Sequence, residues 1–283
     1  MVMARALTIA GSDSGGGAGI QADLKTFLAR GVYGASVITA LTAQNTQGVQ
    51  GILQVDPSFV AAQLDSVLSD IRFDALKTGM LANEPIINAV SARLEKYRQS
   101  LPPVVVDPVL VSTSGQQLLD GAALTALKTK ILSLSTICTP NVPEVEALLD
   151  SQIDTESDVR MAALQLAQLG PKYVLIKGGH MISSPNSPES CTDVLYDRER
   201  DVFEAFSKPR VESLCTHGTG CTLSAAIAAE LAKGTNMVQA VRFAKDYVYA
   251  AIVDGIQDLG SSGRGALHHG VGLKPLSRSW LPF

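Results

Sequence analysis

The chain has 283 residues, 46% of them hydrophobic and 18% charged, and a net charge of −4. That composition supplies a sizeable core, gives no electrostatic reason to expect nucleic acid or an anionic membrane as partner, and contains nothing near the roughly 18 uninterrupted apolar residues of a membrane-spanning helix. Cys138, Cys191, Cys215 and Cys221 show neither Cys-x-x-Cys spacing nor a nearby histidine pair, which excludes a recognisable zinc site or disulfide framework.

The apolar run Ala6–Ala10 is too short for a signal-peptide core, so a cytoplasmic protein is the default expectation. Taken in order, Arg5–Ala10 reads as a buried strand and Gly11–Gly19 as a glycine-rich loop. Ile20–Ala29 then reads as a helix with Ile20, Leu24, Phe27 and Leu28 on one face. Ser36–Leu41 is a second strand. Pro57–Ser69 is an amphipathic helix with Phe59, Val60, Leu64, Val67 and Leu68 inward, and Phe73–Lys77 is a third strand. Glu84–Tyr97 is a helix opened by Asn83 as its cap and by Pro85 in its first turn. Strands follow at Val104–Val106, Thr136–Thr139 and Tyr173–Lys177, with helices at Asp120–Leu132, Pro143–Leu149 and Glu156–Leu169. Ser183–Ser190 is polar and loop-like, and precedes two antiparallel strands at Asp193–Tyr196 and Val202–Ala205.

Strands that are apolar on both faces and separated by helices mark a mainly parallel sheet covered on both sides. No linker divides the alternation. Residues 1–283 therefore read as one doubly wound α/β domain with a small antiparallel flap and an irregular, glycine-rich tail after Asp258. In such sheets ligands sit beyond the carboxyl ends of the strands. The residues that follow the strands are Gly11, Ser12 and Asp13, with Asp23 a turn into the helix; then Gln44 and Asn45; Lys77, Gly79 and Met80; Asp107; Asn141 and Glu144; and Lys177-Gly178-Gly179-His180.

Small residues at Thr216-His217-Gly218-Thr219-Gly220-Cys221 run into an alanine-rich helical segment closed by Lys233 and Gly234. A helix that starts in a glycine turn presents unpaired N–H groups and a positive dipole end, which is a site for an anion, most often phosphate. The plain alternative is a tight turn before a buried helix. Cys221 in the first helical turn favours the anion reading, because the dipole there lowers a thiol pKa.

Other residues keep two readings each. Gly17-Ala18-Gly19-Ile20-Gln21-Ala22 fits the dinucleotide pattern, yet the second strand lacks the acidic residue that would hold a ribose, and no Walker-type loop exists. Lys177 is a solvated strand end or a point charge for phosphate. Asp107 and Glu144 are turn and cap groups or holders of Mg²⁺. Gln44 offers donor and acceptor to a heterocycle edge or satisfies local backbone. Met80 reads as a pocket wall, Cys138 and Cys215 as packing residues, and His268-His269 as solvated tail.

The stretches Gly11–Asp23, Ala43-Gln44-Asn45-Thr46, Thr139-Pro140-Asn141-x-Pro-Glu144, Lys177–His180 and His217–Ala225 resemble the hydroxymethylpyrimidine/phosphomethylpyrimidine kinases of thiamine biosynthesis. The resemblance runs from Ala6 to a helix ending near Asp258. It implies the ribokinase-like fold and phosphorylation of 4-amino-5-hydroxymethyl-2-methylpyrimidine, then of its monophosphate, with ATP and Mg²⁺. It implies that Gln44, Gly11, Asp23 and Met80 hold the pyrimidine and that Asn141 and Glu144 organise Mg²⁺ and phosphate. Lys177 would reach the ATP phosphates, and the N–H groups of Gly218, Thr219, Gly220 and Cys221 would form an anion hole. Sugar kinases of this fold carry an aspartate base where this chain, like the pyrimidine kinases it resembles, has Cys221, which either accepts the alcohol proton as its thiolate or merely fits the turn. Related proteins also suggest a homodimer. Pyridoxal kinases share the architecture, and a dinucleotide oxidoreductase or a non-catalytic pyrimidine sensor are the readings from other classes.

Overall fold

Alternating apolar runs place strands β1 (Arg5–Asp13), β2 (Tyr33–Asn45), β3 (Gly48–Gln54), β4 (Ala75–Thr78) and β5 (Val104–Val106) in one sheet with β6 (Ile137–Cys138), β7 (Tyr173–Ile176), β8 (Ser190–Asp197) and β9 (Val202–Pro209). The computed structural model describes residues 3–110, 119–178, 190–261 and 263–273. Gly179, His180, most of the Ser183–Ser190 loop and the tail from 274 onward lie outside the described residues.

The strand order is β3-β2-β1-β4-β5-β6-β7-β8-β9. Everything from β2 to β7 pairs in parallel, and antiparallel pairs close both edges. The order reverses at β1, between β2 and β4, so the crevice beyond their carboxyl ends is where a ligand belongs. A register break between Ala10 and Ser12 falls at Gly11, on the lip of that crevice.

Alternate residues of each strand feed two cores. Leu7, Ile9, Val104 and Val106 face the layer of α2 (Pro57–Asp70), α3 (Glu84–Lys96), α4 (Gly121–Ala126), α5 (Val142–Leu149) and α6 (Glu156–Ala167). Ala6, Val105 and Leu175 face α1 (Gly19–Ala29), α7 (Thr219–Ala232) and α8 (Met237–Val253). The doubly wound expectation holds, and Asn83 caps α3 through a bond from the Ile86 N–H.

Several local expectations are corrected. β1 continues to Asp13, so Gly11–Asp13 is strand rather than loop, and β2 is about twice the expected length. β3 escaped the sequence reading because its side chains are mostly exposed and two glycines interrupt it. Helical geometry after Asp120 turns into a wider π turn at Leu127–Ile131 and a tight 3-10 turn at Leu132–Leu134. Phe59 and Leu28, expected inward, are 61% and 70% exposed because each sits about a third of a turn off its helix's buried stripe.

The tail is not solvated throughout. Ala266 bridges to both His217 and Ile256, which wraps the chain around the start of α7. His268 is exposed as expected, but His269 is only 5% exposed, carried inward by that wrap. Burial pushes its imidazole pKa down to about 4, helped by the nearby Lys25 charge. The unfolded chain would take up a proton near the ordinary histidine value of about 6.5 while the folded chain would not, so stability falls as pH drops from there toward 4. His269→Gln should flatten that acid limb in denaturation curves taken between pH 7 and 4; an unchanged limb would show that His269 does not set it.

Candidate active site

A cleft of about 650 Å³ opens over the carboxyl ends of β1, β4, β5, β6 and β7 and the start of α7. At one end, Lys177 follows β7 and bridges to Asn141 after β6. Its Nζ lies 3.1 Å from Asp107 Oδ1 and 3.8 Å from Glu144 Oε2, so one cation sits between carboxylates at three adjacent strand ends. The two carboxylates raise the Lys177 pKa against the burial that works to lower it. Burial raises the Glu144 pKa against the pull of Lys177, and the Asp107 charge adds to the rise. Glu144 closes the cap of α5: its Oε2 accepts from Asn141 N at 2.8 Å while Asn141 Oδ1 accepts from Glu144 N at 2.9 Å. Ser224 Oγ donates to Asp107 Oδ2 at 3.2 Å.

The α7 turn faces this cluster. Gly218 has φ +87°, and a Cβ there would lie 1.8 Å from the Gly17 carbonyl oxygen, so only glycine lets the two loops meet. A methyl on Gly220 would lie 3.3 Å from Lys177 Nζ, which fixes how near the turn and the cation are. Among the described residues the N–H groups of Gly218, Gly220 and Cys221 donate to no backbone carbonyl. Thr219 differs from expectation: its N–H makes a long 3.3 Å bond to Thr216 O, which its own hydroxyl also caps at 2.7 Å. Among the described residues the turn thus has three N–H groups without a backbone acceptor rather than four.

Cys221 reverses the expectation of a thiolate. Burial pushes its thiol up to about 11; the Asp23 and Asp107 charges add to the rise, and Lys77 opposes it. Cys221 is half-buried in the cleft lining, with the Asp23 and Asp107 carboxylates near its sulfur. The thiol is therefore protonated at neutral pH.

Gly11, Gln44 and Met80 line the other end of the cleft. Asp23 does not. It is fully buried under the crevice, where Lys77 Nζ donates to it at 2.8 and 3.0 Å and the Thr8 hydroxyl at 2.6 Å. Both its oxygens are spent on these partners, and Asp23 holds Lys77 cationic against burial. The structure brings the remaining sequence-selected residues together: Gly11, Gln44, Met80, Asp107, Asn141, Glu144, Lys177 and Gly218–Cys221 all reach one cleft.

Sequence reading missed the pairings across the cleft. His217 Nε2 lies 2.9 Å from Asp13 Oδ2 and 3.2 Å from Gln44 Nε2, tying the first glycine loop to the α7 turn across 204 residues. Asp13 also accepts from the Gly15 and Ala18 N–H groups; burial works to raise its pKa, and His217 with these donors brings it below the usual range. Lys245 of α8 donates to Asp193 of β8 at 2.6 Å on the far wall. No local signal marks such partners, because each half is an ordinary polar residue until the fold joins it to the other.

The doubly wound sheet, with its polar cleft beyond the strand ends, is the ribokinase-like fold of small-molecule kinases. The chain belongs to the phosphomethylpyrimidine kinase family, whose model matches residues 13–267. It is 46% identical over 265 residues to the hydroxymethylpyrimidine/phosphomethylpyrimidine kinase of Escherichia coli, covering 93% of this chain and 96% of that one. It is 50% identical over 246 residues to a thiamine biosynthesis bifunctional protein of Geobacter sulfurreducens, covering 87% of this chain but only 48% of that relative, so this chain spans about half its length. Among solved structures, an ADP complex of Bacillus subtilis pyridoxal kinase superposes with a TM-score of 0.84 at 36% identity, covering 95% of this chain and 98% of that one. Among the described residues no helix is long and apolar enough to cross a membrane.

Two measurements check the site. Alkylation of Cys221, followed by peptide mass spectrometry, should be slow at pH 7 and keep accelerating toward pH 11; a plateau near pH 7 would mean that the thiolate is already present. Burial already raises the Asp23 pKa and Lys77 opposes that rise, so Lys77→Met leaves a buried carboxyl that must stay uncompensated or take up a proton. The variant should cost about 3–5 kcal/mol in chemical denaturation, most of it recovered when Asp23→Leu is added.

Proposed function

We propose that the protein transfers the terminal phosphate of ATP to the hydroxymethyl group of 4-amino-5-hydroxymethyl-2-methylpyrimidine, and then a second phosphate to the monophosphate. The observation that carries this is Lys177, held by Asp107 and Glu144 close beside Gly220 at the start of α7. The family and the E. coli relative support the substrate, and the ADP complex of the pyridoxal kinase supports the nucleotide.

ATP phosphates lie between Lys177 and Gly218, Gly220 and Cys221. The pyrimidine lies against Gly11 and Met80 with Gln44 at its edge, and the alcohol points at the terminal phosphate. Asp107 and Glu144 suit Mg²⁺, an ion that takes one or two carboxylates plus phosphates and waters, because two carboxylates share one lysine and keep a net negative charge beside it. When bound, that ion neutralises phosphate charge. The loose transition state of phosphoryl transfer places its demand on alignment and charge, so Lys177 and the turn's donors carry the rate. Cys221 contributes its N–H and, as a protonated thiol, a hydrogen bond to the reacting oxygens rather than a strong base. Two copies of the chain form the working unit, which sedimentation would read directly.

Incubation with the pyrimidine alcohol, pyridoxal and Mg·ATP, with products read by mass spectrometry, should give the pyrimidine monophosphate and then the diphosphate. Binding of pyrimidine without turnover would mark a sensor, and pyridoxal phosphate as the sole product would mark a pyridoxal kinase. Lys177→Ala should slow both steps by roughly a hundredfold or more. Cys221→Ala keeps the backbone donor, so it should slow the two steps modestly and alike; a far larger loss in the first step would restore a base role to the thiol.

A further inference from the structure

His269 is a buried, neutral imidazole that the transfer chemistry does not use, and its contacts lead to the α7 turn. Its backbone is anchored twice: its carbonyl accepts from the Tyr247 hydroxyl of α8 at 2.6 Å, and its N–H donates to Leu267 O at 3.1 Å. Its Nε2 lies 3.0 Å from Thr222 Oγ1, which is fully buried. The Thr222 hydroxyl, with one proton to donate, also lies 2.8 Å from Gly218 O. With that proton on Gly218 O, His269 meets the hydroxyl as the Nε2–H tautomer; with the imidazole proton on Nδ1, the hydroxyl turns to Nε2 instead. The Gly218 carbonyl also accepts from Thr222 N at 2.9 Å.

That carbonyl and the Thr219 N–H are two ends of one planar peptide, so fixing one fixes the other. The Thr219 N–H is itself bound to Thr216 O. With this peptide held at both ends, the next two N–H groups, of Gly220 and Cys221, have a set direction. Gly218 needs such a hold, since a glycine at φ +87° has no side chain to fix it and abuts Gly17.

We propose that His269 is a positioning residue for phosphoryl transfer: its Nε2–H orients the Thr222 hydroxyl onto the Gly218 carbonyl and thereby keeps the Gly220 and Cys221 donors aimed at the transferring phosphate. The inference rests on reading the α7 turn as the phosphate site. A loosened donor costs less than a deleted one, so the effect falls on kcat at about tenfold, against roughly a hundredfold for removing a hole donor outright.

The test is a set of full-length variants assayed for kcat and KM with the pyrimidine alcohol and Mg·ATP, each with a melting curve. Thr222→Val and His269→Leu should each lower kcat about tenfold while the pyrimidine KM stays within about twofold of the parent. The double variant should lose no more than either single one, because both break the same chain of bonds. His269→Gln places an amide N–H near the Nε2 position and should restore most of kcat. A general loss of folding would not separate kcat from KM or be rescued by one donor atom. The inference is overturned if Thr222→Val leaves kcat unchanged, if the two single losses multiply, or if His269→Gln is as impaired as His269→Leu. Should His269→Leu fail to fold, Thr222→Val and His269→Gln still decide it by the same criteria. Lys177→Met in the same assay separates the two levels. Full activity there overturns the phosphate-site reading itself, whereas a crippled Lys177→Met beside a normal Thr222→Val overturns only the role of His269.

Discussion

One buried cation shared by two carboxylates governs the functional end of this sheet. Lys177, Asp107 and Glu144 come from three adjacent strand ends and are almost wholly removed from water. A lone lysine there would be costly to bury, and a lone carboxylate equally so. Together they are tolerable but not balanced, because two acids surround one base. Burial raises the Glu144 pKa against the pull of Lys177, and the second acid, Asp107, adds to that rise. The cluster lies beside the start of α7, where the Gly220 and Cys221 N–H groups have no backbone acceptor among the described residues; in the proposed function an anion and a divalent cation would meet both.

The same physics reassigns two residues that local pattern alone had placed differently. Helix-start geometry argues for a thiolate at Cys221, but the dipole is a short-range, modest effect and burial among carboxylates is larger, so the thiol keeps its proton. Asp23 follows a glycine loop at a strand end, as ligand-binding acids do, yet it sits one helical turn in, facing inward onto Lys77. The pair serves as a neutral internal post under the crevice. Its presence there keeps the floor of the site rigid without offering a free oxygen to a ligand.

Much of this was legible in the residue order. Val104–Val106 is apolar on both faces and could only be a central strand, and the observed strand has those bounds. The α7 turn was legible because its glycines and the helix they start are contiguous, so the chemistry is local. What stayed hidden depends on distance along the chain. β3 has little buried apolar surface to announce it, and its place is set by pairing with β2. The His217–Asp13 contact joins residues 204 positions apart. His269 looked like solvated tail because two adjacent histidines carry no burial signal, and only the wrap of Ala266 against His217 and Ile256 takes one of them inside.

The central claim is that the terminal phosphate of the donor is held between Lys177 and the α7 turn. A crystal structure with a non-hydrolysable ATP analogue and the pyrimidine alcohol tests it most directly. The account predicts the terminal phosphate within hydrogen-bond reach of the Gly220 and Cys221 N–H groups and of Lys177 Nζ, with the alcohol oxygen on its far side. A terminal phosphate bound away from both the turn and Lys177 would contradict it.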